Sequence, residues 1–97
     1  MFEIGLTPEA SEDLDSVKSY DKKRILNAIH QQLPHQALDE ARNRKRLRPN
    51  PLAEWELRVG NFRVFYNVDE ENNKVKVLAV GYKEGNQLYV HGEEYEL

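Results

Sequence analysis

The first part of the chain changes from alternating to helical spacing of its apolar residues. Residues 2–6 alternate between apolar and other side chains, which predicts a first strand. Thr7 followed by Pro8 is a typical helix start, with threonine at the N-cap and proline in the first turn. Helical spacing of the next apolar residues predicts a first helix over about residues 8–19. These residues are Ala10, Leu14 and Val17.

A second helix is predicted from a longer apolar stripe. Asp21 can cap this helix, and Pro34 is expected to end or kink it. The stripe consists of Ile25, Leu26, Ile29 and Leu33. The pattern is weak over residues 35–53, where Pro49-Asn50-Pro51 argues against regular structure.

Residues 55–66 predict two strands joined by a tight turn at Gly60-Asn61, within a hairpin of about residues 54–68. With a two-residue turn, Arg58 stands opposite Arg63, and the apolar residues of both strands share the other face. These apolar residues are Trp55, Leu57, Val59, Phe62, Val64 and Tyr66.

Two arginines that oppose each other across a hairpin repel, which costs stability. The pairing of Arg58 with Arg63 therefore predicts an anion between them, and the planar guanidinium matches a phosphate well. In the alternative interpretation, both side chains extend into water or pair with Glu56.

The remaining elements complete an α+β fold. A polar turn at residues 69–73 precedes a nearly continuous apolar run at 75–80, which predicts a central strand covered on part of both faces and ended by Gly81. Residues 88–95 fit a last strand and turn, or a tail. The order is an N-terminal strand, two helices and then three or four strands. This predicts one domain over residues 1–97, with helices on one face of a mainly antiparallel sheet and Arg58 and Arg63 on the other.

Composition narrows the class of protein. A chain of 97 residues supports one core, and without cysteine it has no disulfide, thiolate metal site or cysteine nucleophile. The absence of cysteine fits a reducing cytoplasm. The first residues show neither a signal peptide nor a membrane span. We expect no metal site, because His30, His35 and His91 lack acidic or cysteine partners at ligand spacing.

Charge is distributed unevenly along this chain of net charge -3. Residues 42–63 hold seven of the 14 basic groups and only two acidic ones. Five of these bases fall within seven residues, which predicts a local RNA-binding stretch; the alternative is a solvated linker. The five are Arg42, Arg44, Lys45, Arg46 and Arg48.

Three segments together resemble the RelE/ParE superfamily of toxins from bacterial type II toxin–antitoxin systems. The first is Lys45-Arg46-Leu47-Arg48, and the second is the hairpin sequence WELRVGNFRVFY at residues 55–66. The third is Val80-Gly81-Tyr82-Lys83 followed by Leu88-Tyr89. The hairpin is similar to the superfamily as a whole and does not separate its ribonuclease branch from its gyrase-poisoning branch.

The resemblance implies a toxin that cleaves mRNA in the ribosomal A site and so inhibits translation, without metal or cofactor. Carried over residue by residue, it assigns catalysis to Arg58, Arg63, Lys83 and Tyr89. It also implies a cognate antitoxin, mRNA on the ribosome as target and a cytoplasmic location. Glu56 stands where ribonuclease members often carry lysine and is expected to repel phosphate. The alternative is a noncatalytic binding module, either a ParE-like inhibitor of DNA gyrase or a degenerate toxin kept as antitoxin partner.

Overall fold

Two helices and seven strands make up the fold in a computed structural model that describes all 97 residues. In chain order the elements are β1 (Glu3–Leu6), α1 (Pro8–Asp15), α2 (Ser19–Gln36), β2 (Arg44–Arg46), β3 (Trp55–Val59), β4 (Phe62–Asp69), β5 (Lys74–Glu84), β6 (Gln87–Val90) and β7 (Glu93–Tyr95). The predicted α+β class and element order are confirmed. The sheet has more strands than the predicted three or four, because the basic stretch and the C-terminal residues also form strands.

The sheet is antiparallel except at its first strand. Its strand order is β2-β3-β4-β5-β6-β7, and β1 pairs with β5 outside this path. Strand β1 runs parallel to the first half of β5, with Glu3 opposite Lys74 and Leu6 opposite Val77. Strand β6 pairs with the end of β5, where Tyr82 lies opposite Tyr89. The long strand β5 therefore has a different neighbour beside each of its halves.

Helix α1 begins as predicted and ends earlier. The Thr7 side chain accepts a hydrogen bond from the Ala10 amide at 3.1 Å and donates one to the Leu78 carbonyl at 3.1 Å. The helix ends at Asp15, where Ser16 closes the last turn with bonds to the Asp13 carbonyl. The predicted end at residue 19 is wrong, because α2 already begins there.

Helix α2 passes through the proline that was expected to end or kink it. It continues to Gln36, and the Pro34 carbonyl accepts a bond from the Phe2 amide at 2.8 Å. Asp21 lies in its first turn rather than at the N-cap, which is Lys18. No helix of the molecule is both long enough and apolar enough to cross a membrane.

Apolar side chains cover both faces of the central strands. The larger cluster lies between the helices and the sheet and includes Ile25, Ile29, Leu57, Val64 and Tyr66, all fully buried. A smaller cluster lies on the other face; its buried members are Ala53, Phe65, Ala79, Leu88 and Val90. This confirms the prediction that β5 is covered on parts of both faces.

Gly81 lies inside β5 instead of ending it. A Cβ atom at this position would lie 2.5 Å from the Tyr89 carbonyl oxygen and 2.9 Å from Val90 Cγ2. Glycine is therefore needed here for the close approach of β6, and the strand continues to Glu84.

Candidate phosphate-binding face

The hairpin turn has two residues, so the predicted register is confirmed. Val59 pairs with Phe62 and Arg58 pairs with Arg63. Gly60, the first turn residue, has a φ of 59°, in the left-handed region that favours glycine. The apolar residues of both strands accordingly face the helices, and the two arginines project from the opposite face.

Cations from four strands meet on that opposite face. Lys45 on β2 lies across from Glu56, Arg58 and Arg63 pair between β3 and β4, and Lys83 lies on β5. All four line one cavity of about 390 Å³. We call Lys45, Arg58, Arg63 and Lys83 the basic face. The other lining residues are Arg46, Leu47, Arg48, Glu56, Leu88 and Leu97.

A single carboxylate lies between the two arginines. Arg58 Nε is 3.3 Å from Glu56 Oε2, and Arg63 Nε is 3.9 Å from Glu56 Oε1. The Glu56 side chain is only 7% exposed. The alternative interpretation of the sequence, that the arginines pair with Glu56, therefore describes the contacts in the structure.

The two arginines differ in their access to solvent. The Arg58 side chain is 45% exposed, whereas that of Arg63 is 11% exposed. Arg63 Nη1 donates to the Gly60 carbonyl at 2.9 Å and to the Phe62 carbonyl at 3.0 Å. Burial lowers the pKa of Arg63, with a smaller contribution from Arg58, while Glu56 opposes the shift. Of the two, Arg58 is thus the one available to a ligand, and Arg63 stabilises the hairpin.

Tyr89 does not lie with the other three residues assigned to catalysis. Lys83 is opposite Leu88 and Tyr82 is opposite Tyr89, so Tyr89 projects from the helix-covered face. There its ring stacks on Tyr82 with centroids 5.2 Å apart. The reason is the two-residue turn at Gly85-Asn86, which fixes the alternation of β6 and places Leu88 on the face of Lys83.

A tyrosine that the sequence did not single out lies on the side of the sheet that carries Lys83. Tyr95 on β7 is opposite Leu88 and packs against the smaller apolar cluster. Counting alternation through the turns at Gly85-Asn86 and His91-Gly92 would have placed Tyr95, and not Tyr89, on the face that carries Lys83.

The basic stretch does not form one surface. Arg44 is buried; its Nε donates to the Asp39 carbonyl at 3.1 Å and its Nη1 donates to Gln32 Oε1. The Arg46 guanidinium lies 5.9 Å from the centre of the Trp55 ring. In the pairing of β2 with β3, Lys45 is the residue opposite Glu56, and it belongs to the basic face. Arg44, which the sequence assigned to the RNA-binding stretch, therefore lies away from the basic face, because side chains alternate between the two faces of β2.

The two flanking arginines of the stretch lie apart from β2. Arg48 lies beyond the end of β2 and lines the cavity, and Arg42 is exposed and precedes the strand.

Among the histidines, His91 does have an acidic neighbour, since its Nδ1 is 2.9 Å from Asp13 Oδ1. No three His, Asp or Glu side chains lie together as a group that could hold a metal ion.

Arg44→Ala and Lys45→Ala are expected to have different effects. Loss of Arg44 removes the donor for the Asp39 carbonyl and one donor for Gln32, and should lower the free energy of unfolding by about 1–3 kcal/mol. Lys45→Ala should leave stability nearly unchanged and flatten the salt dependence of RNA binding by about 0.7 in log–log slope. Urea denaturation and fluorescence anisotropy at several salt concentrations measure both quantities. Equal effects of the two variants on RNA binding would contradict this division of roles.

Solved structures with the same fold come from toxin–antitoxin complexes. The chain aligns with a chain of the RelBE2 toxin–antitoxin complex from Mycobacterium tuberculosis with a TM-score of 0.69 and 21% identity, covering 84% of this chain and 98% of that one. It aligns with a chain of the archaeal RelE–RelB complex from Pyrococcus horikoshii OT3 with a TM-score of 0.68 and 18% identity, covering 87% and 96%. At these identities the likeness shows the fold.

The sequence itself identifies the family. Residues 4–86 match the family described as the ParE toxin of the type II toxin–antitoxin system parDE. No curated protein matches the chain significantly by sequence. The match extends from β1 into the β5–β6 turn, so the chain belongs to the ParE toxin family, within the RelE/ParE superfamily.

Proposed function

We propose that this type II toxin is an endoribonuclease that cuts mRNA on the ribosome, and that the basic face holds the mRNA backbone at the bond to be cut. The observation that carries the proposal is the convergence of Lys45, Arg58 and Lys83 from three strands on one open cavity, with Arg63 behind them. Fixed cations on a rigid sheet suit a phosphate because they need little reorganisation as charge develops.

The chemistry follows from the charges. The 2′-oxygen of the substrate attacks the adjacent phosphorus, the bond to the 5′-oxygen breaks, and a cyclic phosphate and a 5′-hydroxyl result. Negative charge grows on the nonbridging oxygens during this step, and Arg58 and Lys83, which line the same cavity, would stabilise it. The 2′-hydroxyl loses a proton and the leaving oxygen gains one. Water or the lysines of the basic face carry these protons, because Tyr89 projects from the other side of the sheet.

A cell-free translation reaction tests the proposal. Added protein is expected to stop translation and to produce mRNA fragments with new ends at ribosome-occupied codons, detected by primer extension. The same preparation is tested for inhibition of supercoiling by purified DNA gyrase. Intact mRNA together with unaffected translation would contradict the endoribonuclease proposal.

Two observations favour a second candidate, a noncatalytic toxin that inhibits DNA gyrase or serves only as antitoxin partner. Glu56 neutralises part of the charge of the arginines, and Tyr89, which the resemblance assigns to catalysis, lies on the far face. Blocked supercoiling with normal translation would support the gyrase inhibitor. If neither translation nor supercoiling is inhibited, the result would support a role as antitoxin partner alone.

We also propose a cognate antitoxin as the protein partner and the cytoplasm as the location. Both solved structures described above are complexes of toxin with antitoxin, which supports such a partner. The apolar residues of the helices, such as Ala10, Leu14 and Ile29, are buried against the sheet. Contact with an antitoxin would therefore use the outer helix surfaces and the exposed sheet edges.

A further inference from the structure

Glu56 is the one acidic side chain that lines the cavity together with the cations of the basic face. It pairs across the sheet with Lys45 on one side and with Phe65 on the other, and its oxygens face Arg58 and Arg63. With a side chain only 7% exposed, it lies below the surface of the cavity that it lines. An anion is thus already present at the point where the two guanidinium groups converge.

Part of the Arg63 guanidinium already binds the protein itself. Nη1 binds two backbone carbonyls of the hairpin, and Nε faces Glu56. Arg58 differs, because Nε alone contacts Glu56 and almost half of the side chain is exposed. A phosphate that reached both arginines in a forked arrangement would have to displace a carboxylate that is buried between them.

We infer that Glu56 is an internal counter-ion that occupies the inner anion position, and that it confines a bound phosphate to an outer position formed by Arg58, Lys83 and Lys45. This inference rests on the proposed function, since it assigns to RNA the anion that the face binds. Glu56 then sets the affinity of the site, because its charge repels the phosphate that Arg58 and Lys83 attract.

Glu56→Gln tests the inference directly, since the amide keeps the shape and an acceptor oxygen while it removes the charge. Binding of a short fluorescein-labelled single-stranded RNA, without ribosomes, should become at least about tenfold tighter, because close like charges oppose binding. The slope of the logarithm of the binding constant against the logarithm of the salt concentration should become steeper by about 0.7, the value for one further phosphate contact on a single strand. Glu12→Gln is the control, since it makes the same change of net charge at an exposed position on α1.

Several results would overturn the inference. Unchanged binding by Glu56→Gln, or a gain equal to that of Glu12→Gln, would show that the carboxylate does not exclude phosphate. Weaker binding would show that Glu56 instead orients the arginines for the ligand. Thermal unfolding of each variant confirms that binding is measured on folded protein.

The wild-type protein gives a second test that does not depend on the folding of a variant. In an NMR spectrum of the protein with isotope-labelled arginine, addition of the RNA should shift the Nε–H resonance of Arg58 and leave that of Arg63 unchanged. Movement of both signals would overturn the inference.

These binding measurements separate the inference from the proposed function. Tighter RNA binding by Glu56→Gln, with no mRNA cleavage by wild type, would leave the counter-ion role standing and reject the endoribonuclease. Cleavage by wild type, with no change in RNA binding by Glu56→Gln, would support the endoribonuclease and reject the counter-ion role.

Discussion

Arg63→Met is expected to lower the free energy of unfolding by about 3 kcal/mol, the lower end of the range for breaking a buried ion pair. The substitution leaves Glu56 nearly buried with only Arg58 as its close cation, and it removes both hydrogen bonds to the Gly60 and Phe62 carbonyls. Methionine keeps much of the apolar stem, so packing changes little. Urea denaturation followed by Trp55 fluorescence measures the loss.

The matched control for this stability prediction is Arg58→Met. The same chemical change at a side chain that is 45% exposed should cost less than about 1 kcal/mol, as is usual for pairs open to solvent. Equal destabilisation by the two variants would show that the different burial of the Arg58 and Arg63 side chains does not determine how much each contributes to stability.

Arg58→Ala is expected to reduce mRNA cleavage by at least about 100-fold while the protein stays folded, the scale for losing one fixed donor to the transition state. The exposed guanidinium of Arg58 lies on the cavity that Lys83 and Lys45 also line. The rate is measured by primer extension in cell-free translation, at protein concentrations that saturate the ribosomes.

Lys23→Ala is the control for this loss of activity, because it removes one positive charge from an exposed position on α2. It should reduce cleavage by less than about threefold, through general attraction to RNA alone. A similar reduction by both variants would indicate that net charge, and not the position of Arg58, controls the activity.

The sequence predicted the parts of this fold in which local pattern and long-range pairing agree. The hairpin register followed from one turn, since Gly60-Asn61 has the length that places Arg58 opposite Arg63. The buried stripe of α2 followed from its helical spacing, because Ile25, Ile29 and Leu33 all face the sheet. In both cases neighbouring residues along the chain determine the result.

The placement of the site residues depended on contacts that the local pattern does not contain. Arg44 belongs to a run of charges, and only its pairing with Leu57 shows that it faces the core. Tyr89 matches a family motif in sequence, yet a two-residue turn at Gly85-Asn86 rotates it to the helix side. Glu56 likewise lies opposite Phe65, which belongs to the smaller apolar cluster, and the buried members of that cluster come from four separate segments.

The parallel pairing of β1 with β5 has a consequence for how the chain folds. Glu3 and Thr7 donate backbone hydrogen bonds to the carbonyls of Asn73 and Val77, at 2.9 and 3.0 Å. Such a contact closes a loop that contains most of the chain, so its entropic cost is large and it forms late. During synthesis, β1 and α1 lack β5, the strand that they contact in the folded protein, until residues 74–77 have left the ribosome, and Lys83 follows only afterwards. A chain that is interrupted earlier is therefore expected to remain unfolded and to lack a complete basic face.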